Sequence, residues 1–357
     1  MREDFVTQLR LQLREAAERD ARRGRVRRLA HSLRWDAARP ASVVAAGLVA
    51  VAALALVVLP YLRADQPAPA GRDLQVVAHG DLVSRGGGLT VAGGAVWASD
   101  LDTGEILRID PRSRAVQARV QAGVQAGGDL PISAGGGALW AAARGRLLRI
   151  DPADARITGR VRVGEPDAGF PVAGAGVMWL IDALELRRVD TERLAFDHTV
   201  RVNRGSFMAN GVASDGDVIY VQTGEGTITG YDAATGDQVR SVRVRRPAHL
   251  AQAASGALVL IADDRVEVVD PRIDATRWLR PLGTFSVNAA VVQGSSVWVQ
   301  GSDATRARDL LWRLDLGDGR VLGKLTLPDF GVTAMAPVGD ALWLVSDGGQ
   351  LTVVRPG

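Results

Sequence analysis

Apolar and polar positions alternate in short runs through most of the chain, and one aromatic motif returns about every forty residues. Each motif is a small apolar lead-in that ends on an aromatic side chain: Trp97, Trp140, Trp179, Tyr220, Trp298 and Trp343. Val259 stands at the one place in the series without an aromatic, so the series has seven members at intervals of 39–45 residues. A nearly constant period of this size predicts a repeat architecture.

Six of the repeats contain four short segments of alternating hydrophobicity, separated by Gly, Asp and Pro, and the last contains three. This pattern predicts four β-strands per repeat. An Asp closes the third strand of six repeats: Asp110, Asp151, Asp190, Asp232, Asp270 and Asp315. Because Asp caps turns through its side chain, we interpret these carboxylates as structural and not as metal ligands.

Sheets of this kind bury both faces only against neighbouring sheets. The sequence therefore predicts an all-β fold, a seven-bladed β-propeller with four-stranded blades, over residues 73–357. The last repeat holds only three strands, and residues 74–78 form an extra alternating segment ahead of the first repeat. We expect this N-terminal strand to close the last blade and so remove an open edge. The aromatic series is expected to pack between blades.

An uncharged apolar run lies between Arg39 and Arg63, ahead of the repeats. Its length matches the roughly 30 Å hydrocarbon core of a bilayer, so residues 41–62 are predicted to form a transmembrane helix. The Arg-rich flank upstream predicts a single-pass protein of the cell membrane, with a cytoplasmic N-terminus and an extracytoplasmic propeller. Residues 63–72 are a Pro/Ala linker. The alternative is a signal peptide that is cleaved near Ala70.

Residues 1–40 show apolar positions at helical spacing and contain eleven Arg against six acidic residues. They are predicted to form a basic amphipathic cytoplasmic tail that lies on anionic lipid, with a partner-binding segment as the alternative. The whole chain carries +3, so the +5 of the tail leaves −2 for the remainder. The propeller thus lacks the basic surface of a nucleic-acid-binding protein. The absence of Cys excludes disulfides and thiolate chemistry.

The starts of the inner strands are the candidate ligand-binding positions, at the mouth of the central channel. An aromatic set stands at the first aligned position: Phe170, Phe207, His249, Phe285 and Phe330. A polar set stands at the fourth: Thr90, Ser133, Asn210, Gln252, Asn288 and Thr333. Strand alternation predicts the two sets on opposite faces. Together they suit a small polar or amphipathic ligand. The alternative is that the Phe residues fill gaps between blades and the polar set bonds backbone or channel water.

The phrases GGALWAAARGRLLRIDP, from residue 136, and YDAATG, from residue 231, resemble repeats of bacterial YVTN/NHL-type propellers. The closest resemblance in phrasing is to streptogramin (virginiamycin B) lyase-like propellers, and it covers residues 73–357. It implies a propeller fold and, in the lyases, His and Glu with a magnesium ion at the channel mouth. Here His249 is the one candidate catalytic residue, and no equivalent Glu or second His accompanies it. The tail and anchor resemble those of membrane-anchored actinobacterial proteins.

These patterns predict a binding or interaction module for a protein, peptide or envelope glycan, with sensing through the tail as an extension and without a cofactor or metal. One alternative is a lyase or hydrolase that acts at the channel mouth with His249 and a divalent metal. Another is a scaffold in envelope assembly. The binding module is favoured because the mouth positions are aromatic and amide side chains without a matched acid–base pair.

Overall fold

A computed structural model describes residues 73–123, 128–164, 169–181, 185–202, 209–223, 226–245, 247–283, 286–303 and 308–357. In these ranges the chain forms seven four-stranded antiparallel sheets. The prediction of an all-β, seven-bladed propeller is therefore confirmed. The predicted tail, transmembrane helix and linker, residues 1–72, lie outside the described residues. Within the described ranges, no helix is long and apolar enough to cross a membrane.

Six blades run from the inner strand outward in chain order. Blade 1 holds β2 (Gly86–Ala92), β3 (Ala95–Asp100), β4 (Glu105–Ile109) and β5 (Val116–Gln121). Blade 2 holds β6 (Ile132–Gly135), β7 (Ala138–Ala143), β8 (Arg146–Asp151) and β9 (Arg156–Arg162). Blade 3 holds β10 (Phe170–Gly174), β11 (Val177–Ile181), β12 (Glu185–Asp190) and β13 (Ala195–Arg201). Blade 4 holds β14 (Ala209–Ser214), β15 (Val218–Thr223), β16 (Thr227–Asp232) and β17 (Gln238–Arg243).

The remaining blades follow the same plan, except that the last takes its outer strand from the start of the described chain. Blade 5 holds β18 (His249–Ala254), β19 (Ala257–Ala262), β20 (Arg265–Asp270) and β21 (Ala275–Pro281). Blade 6 holds β22 (Ser286–Gln293), β23 (Ser296–Asp303), β24 (Arg308–Asp315) and β25 (Val321–Thr326). Blade 7 holds β26 (Val332–Val338), β27 (Ala341–Ser346), β28 (Gln350–Pro356) and, outermost, β1 (Leu74–Asp81).

The ring closes where β1 pairs antiparallel with β28, from Leu74 opposite Pro356 to Asp81 opposite Gln350. The predicted closing strand is confirmed, and it is three residues longer than the sequence indicated. A polar contact holds the closing strand against the connection between blades 6 and 7, which contains Asp329. Nδ1 of His79, on the closing strand, lies 3.3 Å from a carboxylate oxygen of Asp329.

Seven hydrophobic clusters among the described residues each join two neighbouring blades, and each contains one member of the aromatic series. Trp97, for example, packs against Leu139 and Ala141 of the next blade. The side chain of Trp97 is fully buried, and its one polar group, the indole N–H, donates a hydrogen bond to the carbonyl of Ala92 at 3.1 Å. The expectation that the series packs between blades is confirmed.

The interface between blades 5 and 6 is built differently, because its member of the series is Val259. Two other tryptophans, Trp278 and Trp312, belong to its cluster and supply the missing aromatic volume. The indole of Trp278 donates to the carbonyl of Leu316 at 2.9 Å. Its ring lies so close to Gly319, where φ is +70°, that a Cβ there would approach it to 2.7 Å. Neighbouring strands thus compensate for the small residue at position 259.

The Asp residues that end the third strands act as turn caps. Asp110, for example, accepts from the backbone N–H groups of Arg112 at 2.9 Å and Ser113 at 2.7 Å. These hydrogen bonds, with that from Ser113 the strongest, hold the pKa of Asp110 below its usual value. The same two-donor pattern occurs at Asp151, Asp190, Asp232 and Asp315. Asp270 accepts from the N–H of Arg272 at 3.0 Å and is also ion-paired with Arg277 at 2.8 Å. The prediction that these carboxylates cap turns is confirmed.

Candidate functional site

The candidate site lies at what we call the N-terminal face, the end of the ring at which the seven inner strands β2, β6, β10, β14, β18, β22 and β26 begin. These strands adjoin one another in that order around the axis. Phe170 is the first residue of β10 and is 59% exposed, and His249, also exposed, is the first residue of β18. Phe330 lies two residues before β26, in the connection from blade 6, and is 50% exposed. Phe207 and Phe285 lie outside the described residues.

The predicted polar set does not form one ring. Thr90, Ser133 and Gln252 each pair with the member of the aromatic series in their blade. Asn210, Asn288 and Thr333 stand three residues earlier than the positions that pair with Tyr220, Trp298 and Trp343. The prediction that these six residues occupy one equivalent position is therefore wrong, because the strand starts on which the repeats were aligned lie at different distances ahead of the aromatic residue.

Strand alternation also fails in blade 5, because β18 contains a bulge. His249 pairs with Ile261 and Gln252 with Val259, and the register shifts between Leu250 and Gln252. Since Ile261 and Val259 are two residues apart, His249 and Gln252 share one face of the sheet. The prediction that the first and fourth positions face opposite ways is wrong here. A bulge adds one unpaired residue, and nothing in the hydrophobic pattern reveals it.

A cavity of about 380 Å³ opens between the inner strands of blades 5 and 6. It brings together two predicted residues, His249 and Asn288, with Asp263, which the sequence reasoning did not consider. The remaining lining is Leu250, Ala251, Ile261, Ala262, Val287, Ala289 and Ala290. Asp263 stands in the turn between β19 and β20, and its carbonyl accepts from Val287 N–H at 3.2 Å. A turn acid of this kind carries no sequence signal that separates it from other turn residues.

A buried amide holds His249 in place from blade 4. Gln222 is fully buried on β15; its Nε2 donates to the carbonyl of Ala248 at 2.7 Å, and its Oε1 accepts from Leu250 N–H at 2.6 Å. Both partners are chain neighbours of His249. The imidazole therefore projects from a backbone segment that is fixed on both sides, which favours a preformed site.

A buried carboxylate holds the segment that follows Phe330. Asp309, at the start of β24, is fully buried, and one of its oxygens accepts from the N–H groups of Gly331 and Val332, both at 3.0 Å. The same oxygen accepts from Nε2 of Gln300 at 2.7 Å. Gly331 lies in the connection between blades 6 and 7, and Val332 is the first residue of β26. The exposed ring of Phe330 is thus presented from an anchored backbone.

The same carboxylate reaches the cavity through two polar side chains. Ser302 Oγ donates to the second oxygen of Asp309 at 2.5 Å, and Asn288 Nδ2 donates to Ser302 Oγ at 2.7 Å. A continuous chain of hydrogen bonds therefore connects the cavity to the anchor of Phe330. Thr333, in contrast, donates to the carbonyl of Val345 at 3.1 Å, as the backbone-bonding alternative for the polar set predicts. Within the described part of the chain, no three His, Asp or Glu side chains are grouped so that they could hold a metal ion.

Comparison with known proteins identifies the fold only. No family model matches the chain, and no curated protein matches it. Among solved structures, the crystal structure of BamB from Moraxella catarrhalis is similar to this chain, with a TM-score of 0.55 and 14% identity over 79% of this chain and 99% of that chain. The lyase-like subtype, and a catalytic role for His249, stay predictions.

Proposed function

We propose that the propeller is a protein-interaction module that binds a partner protein through its N-terminal face. The observation that carries this proposal is the exposure of Phe170 and Phe330 at that face. Large aromatic side chains left in water are typical anchors of protein interfaces, where burying them contributes much of the binding energy. The cavity between blades 5 and 6 opens on the same face and adds a recess for a side chain of the partner.

The anchoring of these groups supports the proposal. Phe170 belongs to a paired strand, and the backbone after Phe330 is held by a buried carboxylate. A backbone that is already fixed loses little conformational entropy on binding, so more of the contact energy appears as affinity. A scaffold role in the assembly of envelope proteins is one form that such an interaction could take.

Photo-crosslinking in cells will capture the partner from the N-terminal face. A photoreactive residue at position 170 or 330 is expected to give one common adduct, which one at position 273 does not. Ile273 is the matched control, because it is 72% exposed but lies in the turn between β20 and β21. With the captured partner purified, Phe170→Ser and Phe330→Ser should each weaken binding about tenfold or more, the effect of losing an aromatic anchor.

Ile273→Ser should leave the affinity unchanged, and none of the three substitutions should lower the unfolding midpoint, because all three side chains are exposed. An adduct of equal yield at position 273, or equal affinity of the Phe170→Ser and Ile273→Ser variants, would contradict the proposal.

The location at the cell membrane is part of the same proposal. Residues 41–62 would hold the propeller on the extracytoplasmic side, with the tail in the cytoplasm; the uncharged run and its Arg-rich flank support this topology. Protease added to intact spheroplasts is expected to digest the propeller and to spare an epitope at the N-terminus. Digestion of the propeller only after lysis would place it in the cytoplasm and overturn this topology.

A further inference from the structure

We propose that the cavity between blades 5 and 6 binds an arginine side chain of the partner protein. The inference rests on the proposed function, since it names the chemical group that this part of the N-terminal face receives. Three residues that line the cavity carry it: Asn288, Asp263 and His249, which stand among apolar neighbours.

The amide oxygen follows from the polarity of the hydrogen-bond chain. A serine hydroxyl has one proton, and Ser302 uses its proton to donate to Asp309. Toward Asn288 the same hydroxyl can only accept, so the side of the amide that faces Ser302 must be the NH₂ group, at 2.7 Å. The carbonyl oxygen of Asn288 therefore points away from Ser302. Because Asn288 is exposed and lines the cavity, this oxygen offers an acceptor to a ligand.

The carboxylate is that of Asp263. Among the described residues it has no ion-pair partner, whereas its neighbour Asp264 is paired with Nη1 of Arg265 at 3.0 Å. Asp263 is exposed, and its negative charge repels an anionic ligand and attracts a cationic one. A cation that donates hydrogen bonds complements both acceptors of the cavity.

The geometry of the lining favours a guanidinium over an ammonium group. A guanidinium is planar, carries five donors and stacks on flat rings, and His249 supplies such a ring. Its three-carbon stem packs on apolar surface, which Ile261 and Val287 provide. The volume of about 380 Å³ is large enough to hold one arginine side chain.

Methyl NMR of the full-length chain tests the inference without the partner. Ile261 and Val287 both line the cavity, so their labelled methyl groups report occupancy directly. N-acetyl-arginine amide is expected to shift these signals in a saturable way at millimolar concentration. N-acetyl-citrulline amide, which has nearly the same shape but no charge, should shift them at least fivefold more weakly.

The matched pair of variants is Asp263→Asn and Asp264→Asn, which remove the same charge from adjacent residues. Asp263→Asn should weaken arginine-amide binding about fivefold or more, the loss expected when a charge-assisted hydrogen bond is removed from a partly exposed site. Asp264→Asn should bind as the unsubstituted chain does. N-acetyl-lysine amide is expected to bind more weakly than the arginine amide.

Equal shifts with the arginine and citrulline amides, or equal loss in the two variants, would overturn the inference, as would saturable binding of N-acetyl-glutamate amide or no shift with any probe. Each of these results would leave the crosslinks at positions 170 and 330 intact. Failure of this inference is therefore distinguishable from failure of the proposed function.

Discussion

Removing the closing strand will destabilise the propeller by on the order of 5 kcal/mol, a large share of the 5–15 kcal/mol that stabilises a typical domain. Leu74 is buried with Trp298 and Leu342 at the interface of blades 6 and 7, and burial of a leucine contributes about 2 kcal/mol. The backbone pairing with β28 contributes the rest, at about 1 kcal/mol for each hydrogen bond. Without β1, β28 becomes an open edge that can pair with other chains.

The measurement compares urea unfolding of a fragment that starts at residue 73, one residue before β1, with that of a fragment that starts at residue 82. The shorter fragment should unfold at a much lower midpoint or aggregate. A synthetic peptide of residues 73–81 should restore the midpoint by pairing with β28, and the same peptide with Leu74→Asp should not. Equal midpoints of the two fragments would show that the ring does not depend on this closure.

Replacing Trp298 by Ala will lower the free energy of unfolding by about 3–5 kcal/mol, the usual loss for a buried Trp. The ring is fully buried between blades 6 and 7, and its indole N–H donates to Oε1 of Gln293 at 2.8 Å. Gln293 in turn donates to the carbonyls of Gly339 and Ala341, at the turn that joins the first two strands of blade 7. The substitution therefore leaves a cavity and also removes the donor that orients this amide.

The control is Val259→Ala, the substitution at the same position of the neighbouring blade. Its loss should be clearly smaller, because Val is smaller than Trp and the volume of that interface comes largely from Trp278 and Trp312. Urea unfolding monitored by circular dichroism measures both variants, since tryptophan fluorescence is itself altered by one of them. If Trp298→Ala lowered the free energy of unfolding no more than Val259→Ala does, the proposed packing role of the aromatic series would be contradicted.

The repeat period could be predicted from the sequence because the blades pack against one another in the same way. Each sheet must bury two faces, and a large side chain at the same position of most repeats fills the space between neighbouring blades. The aromatic series is the sequence pattern that results. The closing strand was predictable for a related reason, since a three-stranded last blade would leave β28 unpaired. The interface of blades 5 and 6 was not, because Trp278 and Trp312 come from other strands of their repeats.

The candidate site was only partly predictable. His249 and Asn288 stand at strand starts, and the repeat alignment located them. The alignment did not locate Asp263 or Asp309. Asp263 lies in a turn, and Asp309 stands at the start of the third strand of blade 6, whereas the alignment compared only the starts of the inner strands. The bulge in β18 reversed the expected facing of Gln252, since one inserted residue changes which side of the sheet each later side chain occupies.

The class of fold, the number of blades and the strand that closes the ring follow from the order of amino acids. They depend on local alternation and on a period, and both can be read along the chain. Which polar groups meet at the N-terminal face follows instead from the tertiary packing. That outcome depends on bulges, on the lengths of connections and on a buried hydrogen-bond chain between residues far apart in sequence, such as Asn288 and Asp309. A pattern of hydrophobic positions cannot encode such contacts, because they are set by the relative placement of neighbouring blades.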